Sequence, residues 1–578
     1  MLLAKMEIIY KKGLNYMINL KEKPFYLNDK QIEKVNEIVN SMTLEEKIGQ
    51  IFCPVGIETD IEDIKGFVEK YKPGGMMYRP QQAKVIKNIY STLQNISNIP
   101  MLLAANLESG GIGICEEGTY FSRQMGIAAT NNSENAYRLG VICGKEANAV
   151  HCNWSFAPIL DIDFNPFNPI TNVRTYGRDV DRIIEMVRAQ IKGLNENKVI
   201  PCIKHFPGDG VDFRDQHLVT SVNDLTVEKW DETFGKIYKT FIDEGAQSVM
   251  VGHILLPHYI KKFNPDIKDS EMLPASISKE ILTDLLRNKL NFNGLVVTDA
   301  TPMVGYNSAM KRSEALPLSI ENGCDMILFN RNIDEDYRYI EEGIKTGLLS
   351  MKRLEEAVLR VVATKMANDL FDKEKAKSDI SIVGCKEHID WTKQCAKESI
   401  TLVKDRENVL PITPQKFKKI RLFNLKDRTT GGFNEKSSSI DFKKELEKLG
   451  FEVDEFNYDE LNMYELFEAG VDYHKEKADL IIYLANFDTA SNYTVRRVDW
   501  VKLVAGDAPW LVEEIPTVFI SLVNPYHLID VPYIKTYINC YSPTKEVMEA
   551  LLDKLTGKDE FIGVSPVDAY CGLWDAKR

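Results

Sequence analysis

Short apolar runs recur through the first 330 residues of the chain, and they constrain its fold more than any other feature. Each run is about as long as a β-strand, and most are almost continuously apolar, as strands buried on both faces of a parallel sheet are. The runs cover residues 49–56, 74–80, 100–108, 153–163, 199–206, 247–256, 294–300 and 325–330. This pattern predicts eight buried, parallel strands.

Helical patterns lie between most of these runs. Residues 180–197 and 227–245 repeat apolar side chains at intervals of three and four, and residues 133–150 begin on a serine N-cap. Residues 278–294 also begin on a serine and end on a glycine. Strands that alternate with helices predict the α/β class and, with eight strands, a (β/α)8 TIM-type barrel. An open, doubly wound sheet is the alternative.

The chain is long enough for more than one domain. We expect an N-terminal extension of residues 1–20 and a barrel of residues 21–372, which a long helical stretch from Ile333 to about Asp372 closes. A charged, apolar-poor segment then predicts a linker at residues 373–388. Residues 389–578 are expected to form a smaller α/β sandwich domain. Its strands are predicted at residues 418–425, 478–487, 516–524 and 535–542, and its helices at residues 442–450 and 545–557.

Composition excludes several classes of partner. The net charge is −13, and the basic residues are dispersed rather than clustered, which disfavours binding to nucleic acid or to an anionic membrane. The sequence contains no run of eighteen apolar residues that would predict a membrane span, and its first twenty residues lack a signal-peptide pattern. The ten cysteines suggest neither a disulfide scaffold nor a zinc site. We therefore expect a cytoplasmic protein, with its oligomeric state left open.

Polar and ionisable side chains end five of the eight apolar runs. In a TIM-type barrel, catalytic groups project from the C-terminal ends of the strands. Burying such groups is costly unless they are paired or used, and for five strands a shared site is favoured over the alternative of solvated loops. The residues are Asn106 and Glu108, Asp161 and Asp163, Lys204 and His205, His253, and Asp299.

Two of the predicted groups have the chemistry of a retaining glycosidase. In the stretch CIKHFPGDGVDFRDQHLV, Asp215 stands two residues before His217 and can accept its ring N–H. That contact fixes the imidazole tautomer and leaves the other nitrogen for proton transfer, although a histidine in a surface loop is the alternative. Asp299 follows an apolar run, where a helix N-cap is its alternative. A carboxylate facing a proton donor across a barrel mouth is what retaining glycoside hydrolysis requires.

These residues resemble glycoside hydrolase family 3, in its bacterial β-N-acetylglucosaminidase branch. The resemblance runs from about residue 30 to residue 370, and more weakly through residues 396–412, which are similar to the start of the family's second α/β domain. The motifs that carry it are MTLEEKIGQIF (42–52), NWSFAPILDIDFNP (153–166), VRTYGRD (173–179), KHFPGDG from Lys204 with His217 thirteen residues later, and VVTDATPM (296–303).

The resemblance implies a role for each matched residue. Asp299 matches the nucleophile, His217 the general acid/base and Asp215 its partner. The residues implied in binding the sugar are Arg174, Lys204, His205, Asn106 and Glu108. The implied activity is that of a retaining exo-β-N-acetylhexosaminidase, which acts on a small amino-sugar glycoside and needs no metal and no cofactor.

Two departures from the branch leave alternatives open. The branch has Asp-Gln-Glu-Gly-Gly followed by arginines where this chain has NLESGGIGI, so that Asn106 replaces a sugar-binding aspartate. PGDG also replaces the branch's common Pro-Gly-His-Gly. A phosphorylase of the same glycosides and a non-catalytic carbohydrate-binding protein are the two alternative functions.

Overall fold

The computed structural model describes residues 18–372, 379–426, 440–489 and 491–578. Most of the predicted N-terminal extension, and the first residues of the predicted linker, lie outside this described part. Contacts divide the described residues into two compact units, the first from the ranges 1–77, 92–102 and 224–376, and the second from the ranges 78–91, 103–223 and 377–578. The predicted domain boundaries stay a prediction.

The strands of the N-terminal region form a TIM-type barrel, which confirms the predicted fold class. The region as a whole contains the strands β1 (Phe52–Cys53), β2 (Val55–Gly56), β3 (Gly75–Tyr78), β4 (Leu102–Ala105), β5 (Trp154–Ser155), β6 (Ile200–Phe206), β7 (Ser221–Val222), β8 (Ser248–Val251), β9 (Ile254–Leu255), β10 (Leu295–Ala300) and β11 (Met326–Leu328), of which β7 and β9 lie outside the barrel sheet. Nine of them make one sheet in the order β1-β11-β10-β8-β6-β5-β4-β3-β2. Only Pro54 separates β1 from β2, the strands at the two ends of this order, so the sheet is nearly closed.

The barrel strands are buried as their apolar runs predict. All seven residues of β6 and all four of β8 are buried, and the pairs β8–β10, β10–β11, β4–β5 and β5–β6 are parallel. In the first unit Leu295 of β10 pairs with Ser248 of β8. In the second unit Ala104 of β4 pairs with Trp154 of β5. Parallel strands with both faces buried leave only their ends for polar chemistry.

Helices follow most of the barrel strands. The α-helices of this region are α1 (Asp29–Ser41), α2 (Leu44–Gln50), α3 (Ile61–Tyr71), α4 (Ala83–Ile96), α5 (Gln124–Ala129), α6 (Ser133–Ala149), α7 (Val180–Glu196), α8 (Val227–Trp230), α9 (Lys236–Asp243), α10 (Pro257–Phe263), α11 (Val304–Asn307), α12 (Arg312–Asn322), α13 (Ile333–Thr346) and α14 (Met351–Ala367). Residues Asp231–Gly235 and Glu280–Lys289 are π-helical. Among the described residues, every helix is too short or too polar to serve as a transmembrane span.

The long helical stretch predicted from Ile333 to Asp372 is two helices instead of one. Gly347 adopts a φ of +80°, a left-handed conformation that ends α13. Ser350 then caps α14, because its side chain accepts a hydrogen bond from the backbone N–H of Arg353. The apolar periodicity continues across this break, which is why the pattern alone predicts one helix.

A mixed six-stranded sheet forms the second α/β domain. Its elements are α15 (Lys386–Ser399), β12 (Thr401–Asp405), β13 (Lys419–Lys426), α16 (Phe442–Lys448), β14 (Glu452–Glu455), α17 (Met463–Phe467), α18 (Val471–Lys477), β15 (Leu480–Asn486), β16 (Thr517–Ser521), β17 (Thr536–Asn539) and α19 (Lys545–Leu555). The strand order is β12-β17-β16-β15-β13-β14, and only β12 pairs antiparallel with its neighbour. Four strands fall in the predicted runs, whereas β12 and β14 were not predicted.

Each face of this second sheet carries its own core. Ile420 and Leu422 of β13 face one cluster, which includes residues of α16 and α19. Phe423 faces the other cluster, and its ring stacks on Tyr483 of β15 with 4.6 Å between ring centroids. The alternation along β13 therefore buries apolar side chains on both faces, as in a strand between two helical layers.

Candidate active site

Glu108 lies three residues after β4 and binds two positively charged side chains. It accepts hydrogen bonds from Nε and Nη2 of Arg174, both at 2.9 Å, and from Nζ of Lys204 at 2.6 Å. Burial by itself would raise the pKa of Glu108, but the charges and hydrogen bonds of Arg174 and Lys204 hold this pKa well below its ordinary value. Three of the predicted sugar-binding residues are thus assembled as one fixed cluster within the second compact unit.

Asp161, at the end of the fourth apolar run, orients His205. Its carboxylate accepts from Nδ1 of His205 at 2.6 Å, from the backbone N–H of His205 at 3.2 Å and from the backbone N–H of Asp209 at 2.8 Å. With Nδ1 committed to this carboxylate, Nε2 is the ring atom of His205 that can reach a ligand. The sequence places Asp161 at a strand end but does not show that His205 is its partner.

Asp209 is the aspartate of the PGDG motif, which differs from the family branch. It is buried and anchors the loop that carries His217. Its carboxyl accepts from the side chains of Gln216 at 3.2 Å and Asn168 at 3.3 Å, and from the backbone N–H of Gly210 at 2.7 Å. Burial and the nearby Asp161 raise the pKa of Asp209 well above its ordinary value. The aspartate of the PGDG motif therefore anchors the loop eight residues before the predicted acid/base, His217.

His217 and Asp215 form the pair that their spacing predicts. Nδ1 of His217 lies 2.7 Å from Oδ1 of Asp215, and the backbone N–H of His217 donates to the same oxygen at 2.9 Å. The Asp215 side chain is fully buried, whereas that of His217 is 21 % exposed. A buried carboxylate thus fixes Nδ1 as a donor, and Nε2 of His217 remains for proton transfer.

The second α/β domain supports the loops of this cluster. The backbone N–H of Asn492 donates to Oδ2 of Asp215 at 2.7 Å. Asn524 accepts at 3.2 Å from the side chain of Asn172, which belongs to the short 3-10 turn that carries Arg174. Tyr526 donates its hydroxyl to the buried Asp163. These contacts lie within the second compact unit, and no local sequence pattern predicts them.

Arg123 is a buried arginine of this unit that the sequence analysis missed. It stands fifteen residues after Glu108, just before α5, and its Nη2 lies 3.5 Å from Oδ2 of Asp488. The positive charge of Arg123 acts to lower the pKa of Arg174. The NLESGGIGI segment, which differs from the family branch, has no arginine, and Arg123 supplies a positive charge from further along the chain. The sequence FSRQMG at the start of α5 could have indicated this arginine.

Asp299 and His253 belong to the first compact unit. Asp299 is the fifth residue of β10, it is buried, and its Oδ1 accepts from the backbone N–H of Ala300 at 2.7 Å. His253, which ends the sixth apolar run, lies with Nε2 3.1 Å from the carbonyl oxygen of Ala300 and with Nδ1 2.8 Å from Ser276 Oγ. His253 thus anchors the backbone beside Asp299. The predicted approach of Asp299 to His217 stays a prediction.

Comparison with known proteins identifies the family. Residues 43–364 match the model described as the glycosyl hydrolase family 3 N terminal domain. This match covers more than half of the chain. The chain belongs to glycosyl hydrolase family 3. It is accordingly a glycosidase, with a barrel and a second α/β domain.

The relatives of this family 3 glycosidase differ in their named activities. It is 39% identical over 563 residues, 97% of this chain and 100% of the relative, to a β-N-acetylglucosaminidase/β-glucosidase of Cellulomonas fimi. It is 43% identical to the solved β-glucoside phosphorylase BglX, with a TM-score of 0.89 over 96% of this chain and 99% of that one. A β-N-acetylglucosaminidase from Paenibacillus sp. str. FPU-7 has a TM-score of 0.76 at 22% identity over 92% of this chain and 100% of that one, which supports the fold alone.

Proposed function

We propose that this family 3 glycosidase is a retaining enzyme that removes terminal β-linked N-acetylglucosamine or glucose through a covalent glycosyl-enzyme. The observation that carries the proposal is the contact of 2.7 Å between His217 Nδ1 and the buried Asp215, which leaves Nε2 as a proton donor. The named activities of the relatives support both sugars.

Two displacements account for the reaction. In the first, a carboxylate oxygen of Asp299 attacks the anomeric carbon, the glycosidic C–O bond breaks, and His217 Nε2–H gives its proton to the departing oxygen. In the second, an acceptor oxygen attacks the same carbon, its proton passes to Nε2 of His217, and the ester bond to Asp299 breaks. The Glu108–Arg174–Lys204 cluster and His205 are proposed to hold the sugar hydroxyls during both steps.

Labelling tests the nucleophile directly. A 2-deoxy-2-fluoro glucosyl fluoride is expected to form a stable ester on Asp299, found by mass spectrometry in the peptide that contains residues 296–303. The His217→Ala variant is the matched control and should still be labelled, because fluoride leaves without protonation. Labelling of a different carboxylate would refute the nucleophile assignment.

Rates on nitrophenyl N-acetylglucosaminide, glucoside, galactosaminide and xyloside then define the sugar that the enzyme prefers.

Phosphorolysis is the second candidate, in which phosphate is the acceptor in place of water. The phosphorylase BglX, at 43% identity, favours it. A neutral imidazole also repels an incoming phosphate less than a second carboxylate would. A sugar 1-phosphate as the main product at millimolar phosphate would support this candidate. Free sugar as the only product, at a rate independent of phosphate, would reject it.

A further inference from the structure

A cavity of about 410 Å³ lies in the second α/β domain, apart from every predicted site residue. It opens over the aromatic face of the sheet, beside Phe423 and Tyr483, and helices α17 and α18 supply part of its wall. Its volume falls in the range of about 300–1,000 Å³ that is usual for small-molecule pockets.

Flat apolar surfaces form much of the cavity. Phe467 of α17 and Trp510 are its large aromatic residues with free surface, and they are 53 % and 52 % exposed. The ring of His474 is nearly perpendicular to that of Trp510, at 5.3 Å between centroids. Half-exposed aromatic rings at the mouth of a pocket offer a stacking surface to a ligand that is flat and apolar on one face.

Polar groups converge inside the same cavity. Arg421 donates from Nη2 to Oε1 of Glu465 at 2.6 Å and from Nη1 to Asp454. Nε2 of His474 is buried and has no hydrogen-bond partner among the described residues. An unpartnered buried nitrogen is costly, and a turn of the His474 ring toward the cavity would let a ligand hydroxyl satisfy it.

The charges of the cavity cancel one another. Arg421 and Lys477 oppose Asp454 and Glu465, so a charged ligand would gain no net attraction and would still lose its hydration. Burial also lowers the pKa of His474, which keeps its imidazole neutral near pH 7 and able to donate or accept. The complementary ligand is therefore neutral, with one apolar face and an edge of hydroxyl groups.

We propose that this cavity is a second, non-catalytic carbohydrate site, in which a neutral pyranose stacks on Trp510 or Phe467 and hydrogen-bonds Glu465 and the Nε2 of His474. A pyranose has the required form, because its C–H groups make an apolar face and its hydroxyls radiate from the edge. The concave shape and the buried polar atoms favour a small sugar over a protein partner, which would need the exposed rim instead.

Fluorine NMR of protein labelled with 5-fluorotryptophan tests the proposal without using activity. The Trp510 resonance is assigned by its loss in Trp510→Phe, and the Asp299→Asn background prevents turnover. Glucose, N-acetylglucosamine and cellobiose are titrated to about 20 mM, which would nearly saturate a millimolar site. We expect the Trp510 resonance to shift with at least one sugar, and that of Trp574, which is 73 % exposed and outside the cavity, to stay in place.

A second measurement separates this site from the catalytic one. In calorimetry, Phe467→Ala and His474→Ala should each weaken the second-site affinity by about tenfold or more, while Trp574→Ala leaves it unchanged. No shift of Trp510 with any of the three sugars would overturn the proposal. A shift with phenol but with no sugar would also overturn it. Either result leaves the function proposed for Asp299 and His217 untouched.

Discussion

Asn492 donates its backbone N–H to the carboxylate of Asp215 at 2.7 Å, although 277 residues separate them in the chain. The other oxygen of that carboxylate holds the ring of His217. Asp215 is therefore fixed from two sides, by the loop on which it stands and by the second α/β domain. The orientation of the proposed proton donor depends on both.

Removing the charge of Asp215 should disable the proposed acid/base. In Asp215→Asn, the side-chain amide no longer fixes Nδ1 of His217 as a donor, and we expect kcat/KM on a nitrophenyl glycoside to fall by about 10²–10⁴. The exposed Asp224, nine residues along the chain, gives the matched control Asp224→Asn, which should keep full activity. An Asp215→Asn enzyme as fast as the parent would remove the pair from the mechanism.

The backbone at Asn492 offers a test of support from the second domain. Asn492 has a φ of +69°, which glycine adopts freely and a β-branched residue strains. We expect Asn492→Gly to retain activity and Asn492→Val to lower kcat by about tenfold or more, since displacing one hydrogen bond to a charged acceptor costs about 1.5–3 kcal/mol. The pH profile of kcat should also change in Asn492→Val alone. Equal kinetics and equal pH profiles for the two variants would contradict this positioning role.

Glu108 should govern the stability of the proposed sugar-binding cluster. Glu108→Gln leaves Arg174 and Lys204 without their shared carboxylate, and breaking a buried ion pair in this way costs about 3–5 kcal/mol. The pKa of Glu108 is depressed, so its stabilisation is complete above its ordinary value near 4.5 and is lost as pH falls through the depressed value.

Urea unfolding from pH 7 to pH 3 measures this contribution. The destabilisation of Glu108→Gln relative to the parent should be largest near neutral pH and should shrink in acid. The exposed Glu58→Gln is a control that should follow the parent at every pH. A free-energy difference that does not change with pH would show that Glu108 acts by packing alone.

Asp163 should make the folded protein more stable in mild acid. Burial raises the pKa of Asp163 to about 6, against an ordinary value of 3.8, even though hydrogen bonds from Tyr526 and Thr171 lower it. The folded state therefore favours the protonated form. The resulting stabilisation, about 3 kcal/mol, is complete below pH 4 and is lost as pH rises through about 6.

The variant Asp163→Asn removes this titration. Its free energy of unfolding should change less between pH 4.5 and pH 7.5 than that of the parent, when both are measured by urea unfolding. Tyr526→Phe removes a hydrogen bond to the Asp163 carboxylate. In this variant the loss of stability with rising pH should therefore occur at a higher pH than in the parent. If Asp163→Asn and the parent have parallel pH dependences, Asp163 is already ionised in the folded protein.

The apolar runs predicted the barrel because burial on both faces leaves a strong local signal. The second domain was predicted less completely, and the two missed strands explain why. β14 has the sequence EVDE and alternates between exposed and half-buried residues at the edge of its sheet, and β12, at the other edge, is only partly buried. Edge strands need no continuous apolar run, so hydrophobicity does not reveal them.

The candidate site was likewise predicted only in part, because some of its contacts are local in the sequence and others are distant. The Asp215–His217 contact is local, because two residues suffice to close it, and the sequence predicted it. The partners of His205, Arg174 and Asp215 lie 44, 66 and 277 residues away in the chain. Such contacts follow from the order of strands and from the second domain, and a single sequence gives no direct record of either.

The contact between Asn492 and Asp215 also bears on how the enzyme can be divided. The family match ends at residue 364, and a fragment cut there would still carry every side chain proposed for catalysis. It would lack the amide that braces Asp215 and the Asn524 side chain behind the Arg174 turn. Such a fragment would contain every proposed catalytic side chain but neither of these supporting contacts, so the positions of Asp215 and of the Arg174 turn depend on the second α/β domain.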